Sequence, residues 1–257
     1  MRSSILSKKN TIVLLSSLFP LACIFFAEGV KMYFLELVRA VPNHEQYITY
    51  SIYITVLAYP LLAYLSDIWC RKKVLLISLF FLLLSIIFLY FKNFVLSMCF
   101  FSIAPVTAVA QAAYCDVHIT NEREPNIINT FIIQALPWLI FPFLFNQISS
   151  VFISILISGF FLLLLTLFYF KDNRDKDLKK YSFGILEATK KYGLKTCIVI
   201  IAAFFLANWA WSMFFYRLEE RLGVAVISKY FLLAPGLAFL LGAIFARMII
   251  HRNKILF

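Results

Sequence analysis

The residue best placed to do chemistry in this 257-residue sequence is Glu28, an acid near the end of a long apolar run. An ionisable group inside a membrane span costs about 2.5–3.5 kcal/mol at the helix centre on insertion scales, so its presence there points to function. Facing a cavity, such a carboxyl can carry a proton or attract a cationic group. Lys31 lies three residues on, which leaves a second reading: a Glu28–Lys31 pair on one helix face at the interface, worth about 0.3 kcal/mol. Gln111, Gln134 and Asn208, with Trp138, Trp209 and Trp211, also lie within apolar runs. They are candidate cavity liners. Alternatively Gln and Asn join helices through hydrogen bonds, and the tryptophans belong to the aromatic belt, which for them is the favoured reading. Pro105, Pro137, Pro142 and Pro235 remove backbone donors and should kink their spans.

A second cluster is Asp67 with Arg71, Lys72 and Lys73, a charged knot between two apolar runs. Each run is long enough to cross a bilayer, at about 20 residues per crossing, so the knot reads as a tight hairpin turn at a membrane surface.

The elements that position these residues follow from composition. The sequence is 63% hydrophobic and 14% charged, against about 25% charged for soluble chains, so it belongs in lipid. A net charge of +11 would suit nucleic acid if it formed a stripe, but the basic residues lie in short clusters between apolar runs, so no nucleic-acid partner is expected. Cys23, Cys70, Cys99, Cys115 and Cys197 show no C-x-x-C and no His at ligand spacing, which argues against a disulfide framework, a metal site and any cofactor. No nucleotide-binding loop or nucleophile elbow occurs, so the chain is not expected to be an enzyme.

An all-α polytopic fold of about eight spans is expected: about 11–30, 47–65, 74–91, 94–114, 127–145 (broken by Pro137 and Pro142), 151–170, 196–215 and 230–250. Lys92 and Asn93 make a minimal outer turn. Three parts result: a six-helix bundle over 1–170, a polar basic linker over 171–195, and two further helices over 196–257. With the amino terminus in the cytoplasm, only Lys31, Arg39, Lys92, Arg217, Arg221 and Lys229 of the 24 basic residues fall outside, which sets the orientation.

The loop around Asp67 resembles that between the second and third spans of the major facilitator superfamily, G-x-L-[AS]-D-R-x-G-R-[RK]-[RK]. Leu65, Ser66, Asp67, Arg71, Lys72 and Lys73 match in place; Ala63, Ile68 and Cys70 depart from it, and Cys70 replaces a glycine free to take positive φ. Asp116 to Arg123 is similar to the acid-to-Arg loop after span four of many facilitators. Glu28 and Tyr33 are similar to two positions of E-x-x-E-R-F-x-Y-Y-G in proton-coupled peptide transporters, with Gly29 where that motif has Arg. Tyr59 to Asp67 is similar to the T-P-L-L-G-G-Y-L-A-D of the same branch. Lys9–Val13 resembles Lys195–Val199, and Arg71–Leu75 resembles Arg252–Leu256, a pattern that a two-half repeat or chance similarity would produce.

The resemblance implies a multi-pass secondary transporter of the bacterial inner membrane, moving a small solute by ion-coupled (proton) symport, with Glu28, Tyr33, Gln111, Gln134 and Asn208 as substrate or proton residues. It implies a gating role for Asp67, Arg71, Lys72 and Lys73. No Gly-rich motif of drug antiporters stands in span five. Facilitators have twelve spans, so the expectation is a truncated carrier whose missing helices come from a separate chain. The alternatives are an inactive remnant of a disrupted gene, or an eight-span membrane enzyme or assembly factor.

Overall fold

The computed structural model describes residues 2–39, 41, 44–117, 123–144, 148–170 and 233–255, with scattered positions between 190 and 206. Among the described residues the long elements are all helices, in the order α1 (Arg2–Arg39), α2 (His44–Ile68), α3 (Arg71–Tyr90), α4 (Phe94–Ser102), α5 (Val106–Val117), α6 (Arg123–Leu144), α7 (Ile148–Phe168) and α8 (Leu233–Ile255). Four stretches are long and apolar enough to cross a membrane: Thr49–Ser66, Arg71–Tyr90, Phe94–Asp116 and Val151–Phe168. Ile128–Phe141 and Gly236–Phe245 are shorter apolar helices. Most of the linker expected over 171–195 and of the span expected over 196–215, Asn208 included, lies outside the described residues.

Three boundaries depart from expectation. First, α1 runs for 38 residues rather than the 20 of one crossing, about 57 Å at 1.5 Å per residue. Its polar ends continue the helix because nothing between Arg2 and Arg39 except Pro20 interrupts the ladder. Second, the span expected as one element over 94–114 is broken into α4 and α5 at Ile103–Pro105. Pro105 offers no N–H and disfavours helical geometry at Ala104, so the ladder ends and restarts. Third, α6 is continuous through Pro137 and Pro142, where a broken span was expected. Each proline removes one ladder bond, which neighbouring helices in a bundle can tolerate.

The turns follow local chemistry. Cys70, at the glycine position of the loop motif, has φ 178°, extended backbone that any residue adopts, and its Sγ accepts from the Lys73 N–H at 3.3 Å. The expected turn at Lys92 and Asn93 is present: Lys92 takes φ 58°, and the Asn93 side chain caps α4 by accepting from the Leu96 N–H.

The core gathers around α1, where Ile24, Val30 and Met32 pack with Leu75, Leu79 and Ile86 of α3 and Val106 and Ala110 of α5. Small residues let helices approach: Ser97 Oγ donates to the Ser85 carbonyl at 2.7 Å, joining α4 to α3. With α4 and α5 counted as one element, α1 packs on α5, α6 and α7, α2 packs on α4, and α3 packs on α4, α5 and α7. These pairings are preserved when the first three helices are exchanged with the next three, whereas the packing of α2 on α3, α5 on α6 and α1 on α3 is not. Helix α8 packs on α6.

Candidate functional site

Glu28 is buried, 7% exposed, at the point where α5 and α6 meet α1. The break before α5 places Thr107 in that helix's first turn, and its hydroxyl donates to Glu28 Oε1 at 3.0 Å. The carboxylate therefore lies by the end of α5 where backbone N–H groups and the helix dipole favour negative charge. From α6 the Trp138 indole N–H donates to Glu28 Oε2 at 3.2 Å.

The approach of α6 depends on Gly29. A Cβ there would stand 2.7 Å from the Phe141 ring, so a larger residue would push α6 away and with it Trp138, one turn earlier. This gives a packing reason for glycine at a position where the similar peptide-transporter motif has arginine.

Lys31 completes the group. Its Nζ lies 3.9 Å from Glu28 Oε2 and 5.6 Å from the centroid of the Trp138 ring. The Glu28–Lys31 pair thus forms, and the acid also has two hydrogen bonds from other helices, one to each oxygen. Such an arrangement can hold a carboxylate inside an apolar bundle, bind a proton, or bind a cation.

The other expected residues divide. Tyr33 is 3% exposed but lies five residues along α1, on another face, lining a cavity of about 300 Å³ with Leu37, Ile86, Leu89, Phe94 and Phe152. Gln111 donates to Thr130 Oγ1 at 3.3 Å and so joins α5 to α6, as the helix-joining reading expects. Gln134 is half-buried on α6. Trp138 corrects the aromatic-belt reading, since its N–H is turned inward to the acid. Thr107 was not singled out as a site residue; its only sequence signal is that it is the first polar residue after Pro105.

At the loop end, Arg71 Nε donates to Asp116 Oδ2 at 2.9 Å and its Nη1 donates to Ser66 Oγ at 2.6 Å. The two loop motifs therefore meet, tying the end of α2, the start of α3 and the end of α5. Lys73 is exposed and Lys72 half-buried; the Asp67 side chain lies outside the described residues. Among the described residues no three His, Cys, Asp or Glu side chains gather to hold a metal ion.

A second cavity, about 530 Å³, lies between α1, α6 and α7, lined by Phe25, Phe26, Val30, Phe141, Ser154 and Ser158 among others. No family model matches the sequence, and searches of curated proteins and of solved structures find no match.

Proposed function

We propose that this chain is a secondary carrier of the major facilitator type, moving a small solute across the bacterial inner membrane with its amino terminus in the cytoplasm, coupled to a proton gradient. The observation that carries the reading is the buried Glu28 carboxylate, held by Thr107 and Trp138 from two further helices at a mid-span break. A buried acid in a membrane bundle is costly unless it is used, and discontinuous helices with a free N-terminal turn are where transporters bind charged groups. The packing of α1 on α5, α6 and α7, of α2 on α4, and of α3 on α4, α5 and α7, which survives exchange of the first three helices with the next three, supports it, since inverted repeats of three spans make up one half of such a carrier. The Arg71–Asp116–Ser66 clasp supports an inner-side gating role for the loop.

Proteoliposomes test the proposal. Under imposed pH gradients of either sign, a panel of labelled sugars, amino acids, dipeptides and organic cations is offered to the wild type and to Glu28→Gln. The expected result is gradient-dependent accumulation of one solute class by the wild type, at least about tenfold lower in the variant. Accumulation of no solute under any gradient contradicts the carrier reading.

A further inference from the structure

The partners of the Glu28 carboxylate differ in kind. Thr107 and Trp138 hold it by hydrogen bonds of 3.0 and 3.2 Å, whereas Lys31 Nζ stands 3.9 Å away, beyond hydrogen-bond range. The Lys31 side chain is 46% exposed and that of Glu28 9%. One carboxylate oxygen is bonded by Thr107; the other, Oε2, faces both the indole N–H and the ammonium. The same ammonium lies over the Trp138 ring at 5.6 Å, within range of a cation–π contact. A fixed carboxylate beside an aromatic face is chemistry that recognises ammonium groups generally, and here a half-exposed, four-carbon side chain of the protein fills it.

We infer that Glu28 and the Trp138 ring form a receptor for the ammonium group of an organic cation, and that the Lys31 ammonium occupies this receptor until the solute displaces it. The inference rests on the carrier reading and narrows its solute to small organic cations.

The test uses the full chain in lipid nanodiscs and titration calorimetry, with butylammonium as the probe and pentan-1-ol as its neutral counterpart. Lys31→Met removes the competing ammonium and is expected to bind butylammonium about tenfold more tightly, the size that an exposed ion pair and a cation–π contact give together. Lys31→Gln gives the same gain and serves if Lys31→Met does not fold, whereas Lys31→Arg keeps the weak wild-type affinity. Adding Glu28→Gln to either neutral variant is expected to abolish the gain, and pentan-1-ol should not distinguish any of them. Neutral Lys31 variants that bind butylammonium no more tightly than the wild type overturn the inference, as does pentan-1-ol binding equal to butylammonium. That failure, with gradient-driven accumulation of a neutral solute intact, removes the cation class alone. Absence of all accumulation removes the carrier reading itself.

Discussion

Helices α2 and α7 are both mostly exposed, yet they are held in opposite ways, and the first half of α2 is coated differently from α7. The exposed side of α7 is apolar, with Ile153, Ile157, Phe160, Phe161 and Phe168, and its spanning stretch has a mean hydropathy of 2.7. The exposed side of α2 begins with Gln46, Thr49, Tyr50 and Tyr53 before turning apolar at Val56, Leu57 and Leu61, and its stretch averages 1.2. On the packed side, α2 is joined by polar groups: Ser51 Oγ meets Ser102 Oγ at 2.7 Å, Thr55 donates to the Ser102 carbonyl, and Ser66 accepts from Arg71. By contrast α7 is joined by shape, with Gly159 seated against Leu83 and Phe26. Lipid gives no hydrophobic force between helices, so these are the two ways of fastening one. The difference teaches that exposure in a membrane chain has two meanings: α7 suits acyl chains along its length, while the first half of α2 suits water or protein.

The sharpest test of this contrast places a charge at the tenth residue of each helix. Ile157→Lys on α7 should cost about 2.5–3.5 kcal/mol of folded stability, measured by reversible unfolding in mixed micelles. Tyr53→Lys on α2 should cost about 1 kcal/mol or less, as a substitution facing water does. Equal costs would erase the distinction between the two faces.

The polar fastening of α2 comes next. Arg71→Gln should lose about 2 kcal/mol, because it removes the charge-assisted hydrogen bond to Asp116 and leaves that carboxylate without its partner. Arg71→Lys should recover part of this at most, since an ammonium cannot reproduce the guanidinium fork. A full recovery would show that charge alone matters there.

Shape fastening of α7 predicts a loss of about 1 kcal/mol for Gly159→Ala, whose Cβ would stand 2.4 Å from Leu83 Cδ2 unless that side chain moves. Gly242→Ala on α8 meets nothing within 4 Å and should leave the unfolding midpoint unchanged or slightly raised. The smallest effect is Ser51→Ala, about 0.6 kcal/mol, against none for Ser158→Ala on the exposed side of α7.

Much of this was legible from residue order alone. Apolar run lengths gave the helical membrane class, the charged knot gave the α2–α3 turn, and the cost of burying an acid singled out Glu28. What escaped was whatever depends on distant partners. Thr107 and Trp138 lie 79 and 110 residues from Glu28, and neither periodicity nor spacing announces the meeting. Arg71 and Asp116 were each conspicuous, but their pairing needs the packing of α3 on α5. Proline was ambiguous for a physical reason. Pro105 ends a helix because the chain restarts after it, whereas Pro137 and Pro142 sit in a ladder that the rest of α6 sustains.

The central claim is that Glu28 is the group through which solute movement is coupled to protons. It is tested most directly by the protons that cross a proteoliposome membrane per solute moved, read from a trapped pH-sensitive dye. The account predicts solute-driven proton movement in the wild type and none in Glu28→Gln. An unchanged ratio of protons to solute in Glu28→Gln would contradict it.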